Sequence, residues 1–154
     1  MFTSPTLNLI QEIVAQSQTL AQEYVPNFDF SLSYCCIFAQ NQEQYDQQEQ
    51  EARSSGLLLS KTPTGNLYQL TQPLATSAGL LKILKVRLPD PTRPELGDCD
   101  FKLDNYLEFK NQYLSLDQFK LITRSDFEMI ELMDNDFNVR VYFSYPSVEE
   151  QYRI

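Results

Sequence analysis

The sequence predicts an α+β protein in which two βαβββ modules form a curved mixed sheet around a cleft, with an added N-terminal helix. Two observations carry this prediction. The order strand, helix, strand, strand, strand occurs twice along the chain. A proline-rich connector lies between two strand-like runs in 80–103, where the first copy ends and the second begins. We therefore divide one compact domain into residues 1–30, 31–96 and 97–154.

The N-terminal segment has the pattern of an amphipathic helix that ends before Pro26. Ser4 is predicted as its N-cap and Pro5 as its first helical residue. Its apolar stripe favours a helix packed across the body of the protein, and partner binding is the alternative. A short run at 31–39, apolar on both faces and rich in aromatic residues, then predicts a central strand.

The remainder of the first module begins with a glutamine-rich segment, 40–55. Its composition is compatible with disorder, but good helix formers dominate and Gly56 stands where a C-cap is expected, which favours a solvated helix. Two strands are predicted about a turn at 63–65. A loop at 73–79 then leads to the strand that closes the module.

The second module opens with a strand at 97–103, followed by a helix capped by Asp104. Two further strands flank a turn at Ser125-Asp126, and a turn at Asn135 precedes the last strand. The polar tail from Pro146 is predicted to be frayed.

Composition excludes some classes of partner. The chain has 154 residues, with 12 basic against 21 acidic side chains and a net charge of −9. Because phosphate backbones and anionic lipids are bound by clustered Lys and Arg, we expect neither a nucleic-acid nor a membrane partner. Such acidity also favours solubility.

The three cysteines, Cys35, Cys36 and Cys99, are an odd number and fall inside predicted strands. They are expected to be reduced, buried thiols. No Lys or Arg precedes Arg53, and no apolar run is long enough for a signal peptide or a membrane span. These features predict a cytoplasmic protein.

Two successive βαβββ modules resemble the vicinal oxygen chelate, or glyoxalase-like, fold group. The N-terminal helix and the connector between the modules also resemble the YecM-type bacterial proteins of that group. The resemblance implies a cleft on the curved sheet, and in members with metal chemistry it implies His and Glu or Gln ligands on the first and fourth strands of each module. This chain has no histidine, so metal catalysis of that kind is not expected and no cofactor is predicted.

Strand alternation and the paired modules place one set of polar side chains on the concave face, and the connector adds Arg93. The predicted ligand-binding residues are Tyr34, Arg87, Arg93, Asp98, Asp100, Arg140 and Tyr142. The acids and arginines are either internal ion pairs that close the cleft or a site where arginines hold a carboxylate or phosphate. Arg93 is either paired with a carboxylate within the connector or directed to a ligand. An all-oxygen Mg²⁺ or Ca²⁺ site built from Asp98, Asp100 and Glu128 is a further alternative.

The leading functional hypothesis is non-enzymatic binding of a small polar or anionic ligand in this cleft. A carboxylate-based enzyme, with or without a divalent metal, is one alternative. A self-association or protein-interaction module, for example a homodimer, is another. Nucleophilic catalysis by Cys36 or Cys99 is disfavoured because the chain has no histidine to activate a thiol.

Overall fold

The computed structural model describes residues 1–154 and shows the predicted α+β architecture with two βαβββ modules. The first module follows an N-terminal helix, and the second ends in a short helix that the sequence did not predict. The elements are α1 (Ser4–Tyr24), β1 (Phe30–Phe38), α2 (Gln42–Ser55), β2 (Gly56–Thr62), β3 (Gly65–Thr76), β4 (Gly79–Arg87), β5 (Gly97–Leu103), α3 (Tyr106–Tyr113), β6 (Phe119–Thr123), β7 (Glu128–Leu132), β8 (Val139–Tyr145) and α4 (Val148–Gln151).

All eight strands form one mixed sheet in the order β2-β3-β4-β1-β5-β8-β7-β6. Within each module the first strand pairs in parallel with the fourth, β1 with β4 and β5 with β8. The modules join through the antiparallel pair β1–β5, in which Cys35 lies opposite Cys99. The first strands of both modules therefore occupy the centre of the sheet, where residues from both halves meet on each face.

One face of the sheet is covered by the helices and carries the main hydrophobic core. Side chains such as Cys35, Ile37 and Phe101 point to this face and belong to one cluster with Ile10 and Ile13 of α1. Fully burying a side chain of this size contributes about 1.5–3 kcal/mol. The apolar stripe of α1 is thus used inside the molecule, which supports the packed-helix interpretation. No helix of the protein combines the length and the apolar character needed to cross a membrane.

Helix α1 begins one residue away from the predicted cap. Thr3 is the N-cap and makes no side-chain capping bond, while Pro5 lies in the first turn as predicted. The first turn is capped from another element instead, because the Glu51 carboxylate of α2 accepts hydrogen bonds from Thr3 N and from Thr6 Oγ1 at 2.8 Å. The cap prediction for α3 was also wrong by one residue, since the Asn105 side chain accepts a bond from the backbone N–H of Glu108.

One boundary in the first module agrees with the prediction and one differs. Gly56 is the C-cap of α2 as predicted, with an extended backbone at a φ of −158°, and it also begins β2. A Cβ there would lie 2.4 Å from the carbonyl oxygen of Gln69, so the close approach of β3 requires glycine. Residues 73–76 continue β3 rather than forming a loop. Pro73 is tolerated because it falls in the pairing irregularity between Gln69 and Leu74.

The tail is ordered, contrary to the prediction that it frays. Ser147 and Glu150 form a reciprocal capping box that starts α4. Val148 is 9% exposed and packs with Leu67 and Ile83 in a second, smaller apolar cluster. The tail thereby lies over the face of the sheet that the other helices leave open.

Candidate functional site

The open face of the sheet contains a cavity of about 550 Å³. Strands of both modules form its floor, the β2–β3 and β6–β7 turns form two rims, and the segment 148–152 forms a third. Six of the seven predicted ligand-binding residues line it: Tyr34, Arg87, Arg93, Asp98, Asp100 and Tyr142. Alternation along the strands and the registers of β1 with β4 and β5, and of β5 with β8, bring five of them together, and the connector adds Arg93.

One row of side chains crosses the floor from module to module. Cys36 pairs with Lys85 of β4 on one side and with Asp98 of β5 on the other, and Asp98 pairs with Arg140 of β8. Paired residues of neighbouring strands point to the same face. Because the Cys36 side chain is small, it leaves the space above it to Lys85 and Asp98.

The seventh predicted residue, Arg140, does not line the cavity. Its guanidinium forms ion pairs with Glu95 of the connector and, at 3.7 Å, with Glu131 of β7. Glu131 also accepts a 2.6 Å hydrogen bond from the hydroxyl of Tyr142. Arg140 therefore belongs to an internal ion-pair network, but its partners are these glutamates and not the two aspartates of the cleft.

The connector presents Arg93 to the cavity without a carboxylate partner. Its guanidinium lies over the ring of Phe38, 5.4 Å from the centroid, and donates a 3.4 Å bond to the hydroxyl of Tyr142. Such a cation–π contact holds the group in place without neutralising its charge. By contrast, Arg87 is paired with Asp90 at 3.6 Å. The sequence left two roles open for Arg93, a pair with a carboxylate of the connector or contact with a ligand. The carboxylate pair is not formed.

The two aspartates of the cavity are buried and their pKa values are high. Burial raises the pKa of Asp98 to about 7, although nearby Lys85 and Arg93 oppose the shift. Burial also raises the pKa of Asp100 to about 8, against two hydrogen bonds from Ser144 and with a further increase from Asp98. Ser144 N donates to Asp100 Oδ1 at 3.1 Å and its hydroxyl donates to Oδ2. Asp98 Oδ1 is buried without a hydrogen-bond partner.

The proposed oxygen-ligand metal site is not assembled. Glu128 lies away from the aspartates and is bound at 2.8 Å by Lys110 Nζ and at 2.8 Å by the hydroxyl of Tyr106. No group of three or more His, Cys, Asp or Glu side chains is arranged to hold a metal ion. Asp98 thus lies near Lys85 and Arg93, whereas Asp100 is bound by Ser144, and the two acids do not form a ligand set.

The three cysteines are free and buried, as predicted. Burial raises the pKa of Cys36 to about 12, which keeps the thiol protonated, and nearby Asp98 adds to the shift.

We expect Cys35, Cys36 and Cys99 to react with a thiol reagent only as fast as the native protein opens, whereas all three react at once in denaturant. Stoichiometric labelling of native Cys36 within the mixing time would contradict this.

Sequence reasoning missed three parts of the cavity. Lys85 lies two residues before Arg87 on β4, so strand alternation places both on one face, and this signal was available. Arg124 and Phe127 reach the cavity from the β6–β7 turn, and Gln151 and Tyr152 reach it from the tail. The turn and the tail carry no sequence periodicity that indicates where they fold.

Comparisons with known proteins give the fold and nothing further. No protein-family model matches the chain, and no curated protein is significantly similar to it. Among solved structures, the chain is similar to one described as "Structural Genomics, Protein EC4020", with a TM-score of 0.70 and 15% sequence identity. The similarity covers 96% of this chain and 89% of that chain. At this identity it shows a shared fold alone.

Proposed function

We propose that the protein binds a small anionic ligand, a carboxylate or a phosphate, in the cavity of the open sheet face. The observation that carries the proposal is the distribution of charge. Four cationic side chains line this one cavity of a chain whose net charge is −9: Lys85, Arg87, Arg93 and Arg124. Lys85 and Arg93 have no ion-pair partner.

The acids of the cavity do not cancel this charge at neutral pH. With pKa values of about 7 and about 8, Asp98 and Asp100 are partly or largely protonated there. A protonated carboxyl donates a hydrogen bond, so Asp98 can donate to an anionic oxygen. Charge-assisted hydrogen bonds from Lys85 and Arg93 are the stronger contacts such an anion would make.

The arrangement of the modules also supports placing the chain in the vicinal oxygen chelate fold group. That proposal rests on the paired βαβββ order and on the central β1–β5 seam. We propose binding without metal-dependent catalysis, because the strands that carry metal ligands in members of the group have no histidine here. They present Tyr34, Cys36, Lys85 and Arg87 in the first module and Asp98, Asp100, Arg140 and Tyr142 in the second.

Calorimetric titration with oxalate, lactate and inorganic phosphate tests the proposal. We expect saturable binding of at least one of these anions, and a loss of about 10- to 100-fold in affinity for Arg93→Gln, because a hydrogen bond to a charged group is worth about 1.5–3 kcal/mol. Lys120→Gln removes the same charge from an exposed position on β6 and should leave the affinity unchanged. Absence of saturable binding for all three anions, or an equal loss in the two variants, would overturn the proposal.

A further inference from the structure

We propose that Lys85 forms a Schiff base with the carbonyl group of a 2-oxo acid bound in the cavity. This inference rests on the proposed function and deepens it by naming a class of ligand. A 2-oxo acid carries both groups that the cavity addresses: a carboxylate for the arginines, and an adjacent carbonyl carbon that an amine can attack.

Lys85 differs from the other lysines of the chain in its surroundings. It is 8% exposed, lines the cavity and forms no ion pair, and its Nζ donates a 2.6 Å hydrogen bond to Thr64 Oγ1. The remaining lysines are either in ion pairs, as are Lys82, Lys102 and Lys110, or exposed, as are Lys61 and Lys120. Only Lys85 is buried, has no carboxylate partner and lines the cavity.

The groups around Lys85 lower the pKa of its amine, so the neutral form that attacks a carbonyl carbon is reached more easily. Burial lowers the pKa of Lys85, and the positive charges of Arg87 and Arg93 lower it further, whereas Cys36 and Asp98 act in the opposite direction. A lysine amine is activated when it is desolvated or placed beside another cationic group, and both conditions hold here.

Asp98 is placed to handle the protons of the reaction. It lies in the same row as Lys85 with only Cys36 between them, and its Oδ1 has no hydrogen-bond partner in the protein. Two strand spacings separate the Cα atoms of Lys85 and Asp98 by about 10 Å. Both side chains point to the cavity, so a carbonyl carbon can lie between the amine and the carboxyl group.

The step balances without any further reactant. Asp98, in its ionised form, takes a proton from the Lys85 ammonium, the freed Nζ lone pair attacks the carbonyl carbon to form the C–N bond, and Asp98 donates that proton to the carbonyl oxygen. Asp98 then takes a second proton from the nitrogen, which gives the carbinolamine, and donates it to the hydroxyl, which leaves as water as the nitrogen lone pair forms the C=N bond. One ammonium and one ketone thus yield one iminium and one water, and Asp98 ends ionised as it began.

Reductive trapping tests the inference. The protein is incubated with pyruvate and sodium cyanoborohydride at neutral pH, and the modified lysine is located by peptide mass mapping. We expect one carboxyethyl group on Lys85, formed at least 10-fold faster than on Lys61 or Lys120, which serve as exposed lysines in the same sample. Lactate, which has a hydroxyl group in place of the ketone, should slow the trapping by competition.

Two variants test the roles assigned to Lys85 and Asp98. Lys85→Arg removes the primary amine, so the modification at position 85 should be lost while Lys61 and Lys120 in the same sample are modified as before. Asp98→Asn should slow trapping on Lys85 by about 10²-fold at pyruvate concentrations that saturate this variant, the lower range for loss of a general acid. If lactate binds to the wild-type protein but Lys85 is modified no faster than Lys61, the Schiff base is excluded and anion binding stands. If neither lactate nor pyruvate binds, the Schiff base is excluded, and anion binding stands only if oxalate or phosphate binds.

Discussion

Phe109→Ala is expected to lower the free energy of unfolding by about 3–5 kcal/mol, the range for truncating a buried aromatic side chain. Phe109 is fully buried on α3 and is the centre of an aromatic cluster. Its ring centroid lies 4.8 Å from that of Phe143 and 5.8 Å from that of Phe119. Neighbours on a helix and two strands cannot all move inward, so the substitution leaves a cavity. Urea unfolding followed by circular dichroism measures the change.

Leu107→Ala is the matched control for this prediction. Leu107 lies on the same helix but is 59% exposed, so its truncation should change stability by no more than about 0.5 kcal/mol. Alanine is a good helix former in both positions, and helix propensity therefore does not separate the two variants. Equal losses would show that α3 is not anchored to the sheet through Phe109.

Asp100→Asn is expected to change the pH dependence of stability. A carboxyl group whose pKa rises from 3.8 to about 8 on folding binds protons more tightly in the folded state. Its contribution is fully favourable below the unfolded pKa and is lost as pH rises toward 8. At about 1.4 kcal/mol per pH unit, the loss is on the order of 5 kcal/mol. Asparagine stays neutral and can accept from Ser144 N and donate to Ser144 Oγ.

The stability difference between Asp100→Asn and the wild-type protein should therefore shift in favour of the variant between pH 5 and pH 9. Urea unfolding at several pH values in this interval measures it, and taking the difference removes groups that titrate equally in both proteins. Glu43→Gln, which removes a carboxylate from the exposed surface of α2, is the matched control. If the difference for Asp100→Asn varied with pH no more than the difference for Glu43→Gln, folding would not raise the pKa of the Asp100 carboxyl group.

The order of elements could be predicted from the sequence because each strand or helix carries its own periodicity. Alternation in 97–103 placed Asp98 and Asp100 on the face opposite Cys99 and Phe101, and the structure has them so. The errors fall where another element determines the local structure. The Glu51 carboxylate caps α1 from another helix, and residues 73–76 continue β3 because an irregularity in its pairing with β4 accommodates Pro73.

The candidate site was predictable in part of its residues but not in its ion pairs. Arg87 ends β4 and Arg140 is the second residue of β8, so both lie on the fourth strand of their modules, yet Arg140 binds Glu95 and Glu131 while Arg87 binds Asp90. Such choices depend on how the connector folds back over the sheet, and no local pattern encodes that path. The capping box that begins at Ser147 was a local signal for the tail, but its few residues do not show which surface it covers.

Because the cations lie inside an acidic protein, an approaching anion is repelled by the protein as a whole, whereas a bound anion is held by the cations of the cavity. At a distance, an anion meets the field of the whole chain, whose net charge is −9. Inside the cavity it meets Lys85, Arg87 and Arg93 at short range. Dissolved salt screens charges beyond about 8 Å at physiological ionic strength and acts weakly on buried contacts. Added salt should therefore quicken the encounter with an anion, the reverse of its usual effect on oppositely charged partners.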